Sequence, residues 1–367
     1  MAAKTPKKKS PDNVVPFPAQ RDFKNPRMDL FQSFLCNGDA EHDQLSNTLD
    51  LWDSVPRYSV SRQAMNKMRT EGGFLELLKL DFQYRGTPMK AVIQPARIEE
   101  EGGTTRDYYP SANEELVEDA LRKIAAEQNQ GYLEQPNRRS GVVFTLHQLR
   151  QELQERGHAR SYQEIIQSLA ILVSSSIKLL AGDGNAEGFA VSNYLSGLAA
   201  VSRQKLNEDP EAKWIAQFHP LVTQSMESLA YRQFNYHRMM SHSTQLARWL
   251  HKQLSLKFTF AGIGTKFDLR YSTVKRDSGL LEGYARQRDA INALESALAE
   301  LKANRVLMLI EKQCTYGARC RLEDVVYSLF ASLEFIAEAK AANKRHAMAK
   351  EKLLNPPETP GPPEKKR

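Results

Sequence analysis

Twice along this chain of 367 residues a helix, a short strand, a helix, a turn, a second helix and a hairpin follow one another. That order predicts an α+β fold of two tandem winged-helix domains with disordered N- and C-terminal tails. Three observations carry the prediction. Apolar residues recur at helical spacing in TLHQLRQELQERGHARSYQEIIQSLAIL and again in ARQRDAINALESALAELKANRVL. Glycine-containing turns and alternating segments follow each helical stretch. The two ends differ in composition from everything between them. The expected division is an arm over 1–60, one domain over 61–230, a second over 231–338 and a basic tail over 339–367.

The arm is rich in Pro, Asn, Asp and Ser, too polar to bury a core of its own. Two apolar islands interrupt it, RMDLFQSFL at 27–35 and TLDLWDSV at 48–55. Leu30 and Phe31 in the first, and Leu51 and Trp52 in the second, are either anchors for a partner or contacts with the chain's own folded part.

In the first domain, Leu78, Leu80, Phe82 and Tyr84 alternate up to the turn Arg85-Gly86-Thr87-Pro88, which predicts a hairpin over 74–98. A loop leads to a helix over 111–128, begun by Ser111 with Glu114 three residues on. GVVFTL, 141–146, reads as a strand whose Thr145 caps the next helix. Leu146, Leu149 and Leu153 form that helix's apolar stripe, and Gly157 ends it in the left-handed conformation. The following helix buries Ile165, Leu169 and Leu172 and turns Arg160, Gln163, Glu164 and Gln167 outward. A hairpin about Gly182-Asp183-Gly184-Asn185 completes the unit.

The second domain repeats the order. Residues 241–258 form a helix with Leu246, Trp249, Leu250 and Leu254 on one face, and FDLRYSTVKRDSG gives a short strand and helix. The stretch 283–309 is the informative one. At about 100° per residue, Ile291, Leu294, Leu298 and Leu301 fall on one stripe. Arg286, Asp289, Asn292, Ala293 and Ser296 fall opposite, with Arg288 at the flank. A face of Arg, Asn, Ala and Ser suits a major groove, where Arg reads guanine and Asn reads adenine; the plainer reading is an ordinary amphipathic helix. Residues 305–330 then form a hairpin whose tip carries Tyr316, Arg319 and Arg321.

The formal net charge is +7, but its placement says more than its total. Residues 1–27 and 340–367 each carry net +5, so the middle is net −3. Within it, residues 28–56 hold six acids and no Lys or Arg, whereas 228–276 hold nine Lys/Arg and one acid. Such a concentration predicts a phosphate-binding surface, with Lys275, Arg276, Arg319 and Arg321 gripping the backbone. Arg286, Arg288 and Asn292 would read bases in one part of the site, and Arg160, Gln163 and Gln167 in the other.

Other chemistry finds little support. Cys36, Cys314 and Cys320 give no disulfide framework and no zinc spacing, which suits a reducing compartment. GIGTK at 262–266 lacks the first Gly of a phosphate loop and has Phe267 after its Lys. His237, His242 and His251 are spaced irregularly for a metal, Tyr108-Tyr109 would be nucleophiles only beside one, and no Gly-x-Ser-x-Gly occurs. No cofactor, metal or enzymatic activity is expected. No apolar run reaches the roughly 18–20 residues of a membrane span and no signal peptide is visible, so a soluble cytoplasmic protein without a membrane partner is expected.

The hairpin LKLDFQYRGTPMKAVI, the stretch SYQEIIQSLAILVSSSIKLL, the linking AKWIAQFHPLVTQSM, and above all TQLARWLHKQLSLKF running into RQRDAINALESALAELKANRVL resemble plasmid replication initiators of the TrfA-like and RepC-like kind. The resemblance covers about residues 73–335, by pattern rather than identity. It implies binding to directly repeated origin sites (iterons) in double-stranded DNA, opening of the adjacent duplex, recruitment of the host helicase, self-association as monomer or dimer, and no ATPase. The arm islands are similar to the Gln-Leu-x-Leu-Phe peptide that contacts the replicative sliding clamp, although both lack the Gln. A winged-helix transcriptional repressor without a replication role is the alternative.

Overall fold

The computed structural model describes residues 44–100, 102–127, 131–134, 139–182, 188–201 and 212–354. The later unit is the simpler one. Helix α7 (Gln245–Lys257) leads through a turn to strand β13 (Lys266–Arg270), helix α8 (Tyr271–Ser278), helix α9 (Gln287–Ala303) and the hairpin β14 (Leu307–Tyr316) with β15 (Leu322–Ala331). The three strands pair antiparallel in the order β13-β15-β14. This is the winged-helix order: three helices on one face of a small sheet whose last hairpin is the wing. Leu250, Leu254, Ile291, Leu294, Leu298 and Leu301 from the helices meet Val325, Tyr327 and Leu329 from β15 in one apolar core. The stripe expected on 283–303 is therefore the buried face of α9.

The earlier unit carries more strands around the same plan. Strand β1 (Leu45–Leu49), helix α1 (Arg62–Met68) and the hairpins β2 (Leu78–Tyr84) with β3 (Thr87–Gln94) and β4 (Ala96–Glu99) with β5 (Thr105–Tyr108) precede helix α2 (Ala112–Glu127). Strands β6 (Gly131–Glu134) and β7 (Arg139–Thr145) lead into α3 (Leu146–Glu155) and α4 (Tyr162–Ser174), which form the helix–turn–helix. Strands β8 (Ser176–Ala181), β9 (Gly188–Asn193), β10 (Leu195–Val201) and β11 (Lys213–Phe218) follow. Then come helix α5 (Pro220–Glu227), strand β12 (Tyr231–Asn235) and helix α6 (Tyr236–Met240). The hairpin β8–β9 adds to β3 and β2, giving the sheet order β2-β3-β8-β9, while β10 joins a second sheet, β10-β11-β7-β6. The expected hairpin after α4 thus continues into a strand that changes sheets at Tyr194.

Local chemistry sets the helix ends. Thr145 and Gln148 cap α3 reciprocally, and Ser161 and Glu164 do the same for α4. Between the two helices Gly157 sits at φ +81°, a conformation that a side chain would strain. The Ser111 backbone N–H donates to the Glu114 carboxylate, the backbone half of the expected capping box, and its hydroxyl donates to the same carboxylate.

Three expected boundaries are corrected. Residues 45–58 are not arm. β1 pairs with β12, and Leu49, Trp52, Val55 and Tyr58 enter the first core, because burying these large side chains repays ordering the backbone. The junction between units falls after 240 rather than at 230, since Tyr231, Phe234, Tyr236, Met239 and Met240 belong to the first core and Leu246 opens the second. The expected tail begins inside a helix, α10 (Leu333–Leu354). There Ala342 and Ala349 are buried, and Asn343 accepts from Arg232 and donates to the Thr259 carbonyl. Leu30, Phe31, the turn residues 183–187 and residues 355–367 lie outside the described residues.

Candidate nucleic-acid interface

Helix α9 is amphipathic in an unusual way. Ala290, Ile291, Leu294, Ala297, Leu298 and Leu301 are buried, which fixes its rotation against α7 and the sheet. That rotation leaves Arg288, Asp289, Asn292 and Ser296 exposed. Arg286 is the N-cap residue, extended at φ −117° and ψ 132°, with no side-chain cap. The first-turn N–H groups and the positive end of the helix dipole therefore face outward beside an arginine. Among the described residues, neither Arg286 nor Arg288 has an ion pair or side-chain hydrogen bond within the protein.

The wing carries a second cationic set. β14 and β15 are joined through Gly317–Arg321, where the Gly317 N–H donates to the Arg321 carbonyl at 2.9 Å. Arg319 and Cys320 take φ of +60° and +54°, so the chain reverses sharply and leaves Arg319 and Arg321 exposed. Tyr316 stands beside them, 61 % exposed. Strand β14 begins four residues after α9 ends and packs against it, so helix and wing belong to one folded unit.

Not every expected contact is free. Arg276 grips Asp277 with two hydrogen bonds, 2.7 Å from Nε and 2.9 Å from Nη2. The same carboxylate accepts the Gln83 N–H of β2 at 3.1 Å. One edge of the Arg276 guanidinium is thereby held as a brace for α8, so a phosphate would have to share it with Asp277. Lys275 is looser: half-exposed, with Glu282 at 3.7 Å. Arg270, at the N-cap of α8, is exposed and among the described residues has no partner. It belongs with the free cations and went unnoticed because it sits at a strand–helix junction, away from any helical face.

In the first unit, Arg160 donates to Asn113 Oδ1 at 3.2 and 2.8 Å and to its neighbour's carbonyl at 2.8 Å. Gln163 is exposed and Gln167 half-buried, on the outer side of α4 as expected. Glu164 sits among them, its pKa lowered by hydrogen bonds from the Ser161 backbone and hydroxyl. This face is therefore polar with a held arginine, less cationic than that of α9.

Two functional readings are overturned. Trp52 is fully buried: its Nε1 donates to Glu118 at 2.6 Å, and its ring stacks on His219 with centroids 4.2 Å apart. Leu51 packs beside it, half-buried against the same core. Trp52 cannot anchor a partner without unfolding this corner, and Leu51 has only part of its side chain left to offer. The basic segment 228–276 is likewise not one surface. Arg248 and Lys252 are buried, Arg232 bonds Asn343, and Arg238 pairs with Glu338 at 3.2 Å. Burial also pushes the Lys257 pKa down.

The remaining candidates have structural roles. Thr265 closes the GIGTK stretch as a turn on Gly262. The Tyr109 hydroxyl donates to the Glu76 carbonyl. His242 accepts from Asn304 at 2.8 Å and shares a 3.0 Å hydrogen bond with His251. Burial pushes the His242 pKa down to about 4 and that of His251 well below its usual value. Among the described residues no group of His, Cys, Asp and Glu could hold a metal ion, and no helix is long and apolar enough to cross a membrane.

The fold and the site together define a tandem winged-helix protein with an arginine-bearing helix and wing in its second unit. No family model matches the chain, and no curated protein matches it. Among solved structures it is similar to domains 2 and 3 of RctB in a selenomethionine form, at 12 % identity over 77 % of this chain and 96 % of that one, with a TM-score of 0.46. A second structure of RctB domains 2–3 gives 11 % identity over 73 % and 94 %, with a TM-score of 0.42. The Pi initiator protein in complex with iteron DNA gives 11 % over 66 % and 98 %, with a TM-score of 0.38.

Proposed function

We propose that this protein is a replication initiator that binds repeated sites in double-stranded origin DNA and acts by binding rather than by catalysis. The carrying observation is that Arg286, Arg288 and Asn292 are exposed on α9 and that both arginines lack protein partners among the described residues. Buried leucines fix the helix that presents them, so their positions are set before DNA arrives. In this reading α9 enters a major groove, Arg286 and Arg288 donate to guanine edges, and Asn292 pairs with adenine. Arg270, Lys275, Arg319 and Arg321 neutralise phosphates. Helix α4 enters a neighbouring groove with Gln163 and Gln167, and Arg160 joins them by exchanging Asn113 for a DNA acceptor. Replication, rather than simple repression, is supported by the sequence resemblance to plasmid initiators.

Selection of bound fragments from the chain's own plasmid or flanking DNA tests the reading. Recovery of tandem repeats is the expected result; random fragments would overturn it. Deleting residues 1–43 is expected to spare DNA binding and abolish origin firing, since Leu30 and Phe31 are then the remaining candidates for clamp or helicase contact. The cut must stop there, because β1 begins at Leu45. Firing that survives the deletion would favour host contacts elsewhere, and repression without firing would favour the transcriptional alternative.

A further inference from the structure

The two apolar cores do not merge, and what lies between α2 and α7 is charged. Along α2, Glu115, Glu118, Asp119 and Arg122 share one face, the pattern of a solvated surface, yet all four are buried. Asp53 and Arg57 cover them. Arg122 pairs with Asp53 at 2.9 Å and Asp119 at 2.5 Å. Arg57 pairs with Asp53 at 2.9 Å and Glu118 at 3.0 Å. Within the first unit this cluster sets four carboxylates against two guanidiniums, leaving two negative charges without cations.

The second unit supplies one of the two missing cations. Lys252, on α7, reaches across to Glu115 at 3.1 Å and Asp119 at 2.5 Å. It is 3 % exposed. Burial alone would lower its pKa, but Asp119, Glu115 and Asp53 outweigh that and raise it, so the ammonium stays charged. Its helix makes further contacts across the same seam: Gln253 donates to the Asp53 carbonyl at 2.9 Å and Gln245 to the Tyr58 carbonyl at 2.9 Å. Gly279, at the end of α8, meets the first unit so closely that an added Cβ would lie 2.7 Å from Ser59 Cβ. A cavity of about 20 Å³ among Asp53, Glu115, Trp249 and Lys252 is little larger than a water molecule needs.

We propose that Lys252 is a positioning residue that locks the two winged helices at one relative rotation, so that the spacing between the two DNA half-sites is fixed by the Lys252–Glu115–Asp119 cluster. A charge cluster suits this role better than an apolar seam. Apolar side chains tolerate sliding, whereas a buried ammonium displaced from its carboxylates is left uncompensated. The lock couples α4 to α9 without touching DNA. This inference rests on the DNA-reading assignment only for its consequence, half-site spacing; the lock itself is independent of it.

Two variants of the full chain test it. Lys252→Met leaves two buried carboxylates and can fail to fold. The triple variant Glu115→Gln, Asp119→Asn, Lys252→Met keeps the shapes, removes the charges and stays informative. The first readout needs no DNA: spin labels at two exposed positions, Glu155 at the end of α3 and Ala299 on α9, with Cys36, Cys314 and Cys320 replaced by Ser, report the distance distribution between units. The wild-type arrangement is expected to give one narrow distribution, and the triple variant one at least about twofold broader. The second readout inserts five base pairs between selected half-sites. Binding of the wild type is expected to fall about 100-fold, the loss of a linked second contact, and that of the triple variant about tenfold or less. Unchanged distributions in a folded triple variant would overturn the proposal, as would an unchanged spacing penalty. If the wild type selects no sequence, the DNA-reading assignment fails while the distance measurement still decides the lock.

Discussion

Helices α4 and α9 hold the same place in their units, yet their outward faces are built on opposite principles. At the front of α4, Ser161 and Glu164 satisfy each other and Arg160 is tied to Asn113. At the front of α9 no side chain among the described residues caps the helix or engages Arg286 and Arg288. The first face is satisfied as it stands; the second leaves donors open to a ligand. The same contrast separates the seam, where Arg57, Arg122 and Lys252 are consumed in buried pairs, from the wing, where Arg319 and Arg321 are exposed. An arginine thus shows its role by what already holds it, more than by its place in a charge count.

The largest expected effect lies on the satisfied side. Trp52→Ala is expected to destabilise the protein by about 3–5 kcal/mol, from the cavity of a large buried side chain and the lost partner of Glu118. Arg122→Ala is expected to cost about 3–5 kcal/mol as well, because it strips two hydrogen bonds from the buried Asp53 carboxylate and leaves that charge to Arg57 alone. Urea unfolding reads both. A Trp52→Ala protein of unchanged stability would restore that residue as a partner anchor and erase the contrast.

On the open side the effect moves from stability to binding. Arg286→Ala is expected to weaken binding to selected DNA by about 1–3 kcal/mol, relax one base position and leave the unfolding midpoint in place. Arg160→Ala is expected to cost less binding, since part of its energy goes to breaking the Asn113 contact. Equal loss by Arg286→Ala on selected and random DNA would end the base-reading role, and a larger loss for Arg160→Ala would invert the comparison.

Protonation separates the regions a third way. Burial pushes the His219 pKa to about 3 and that of His242 to about 4, and both stay neutral in the fold. The unfolded chain takes up these protons near pH 6.5, the ordinary histidine value. It therefore binds more protons than the folded chain below that pH, and stability must fall as pH drops from about 6.5 towards 4. Each histidine is expected to contribute about 1–2 kcal/mol to the loss between pH 6.5 and 5. His242→Gln is expected to flatten the slope of unfolding midpoint against pH; an unaltered slope would show that the pair is not held neutral. Residues 283–331 contain no histidine, so the affinity lost on Arg286→Ala is expected to be the same across this range, whereas the first unit carries His147 and His158 in its helix–turn–helix.

The sequence made α9 readable because its leucines repeat at the helical period and its partner strands are close in the chain. The wing was readable for the same reason. The seam was not. Glu115, Glu118, Asp119 and Arg122 repeat at helical spacing just as a solvated face would, and the groups that bury them, Asp53 and Lys252, lie far away in sequence. The segregation of acids into 28–56 and bases into 228–276 was a true signal read at the wrong address. At Asp53 and Lys252 it is the trace of two distant segments meeting in one charge cluster, not of a surface for DNA. Trp52 shows the same limit: an apolar island in a polar arm looks alike whether it docks on another protein or on its own fold.

The smallest effects test the contrast most finely, since they compare adjacent cations. Each phosphate contact that is lost shallows the slope of log affinity against log salt by about 0.9. Arg319→Ala and Arg321→Ala are each expected to do so on selected and random DNA alike. Lys275→Ala is expected to do the same, because its 3.7 Å contact with Glu282 is long and half-exposed. Arg276→Ala, one residue on, is expected to change the slope less and to lower stability modestly, because one edge of its guanidinium is already held by Asp277. A slope change at Arg276 as large as that at Lys275 would mean that DNA pulls the guanidinium off Asp277. The line between satisfied and open charge would then be drawn by the ligand rather than by the fold.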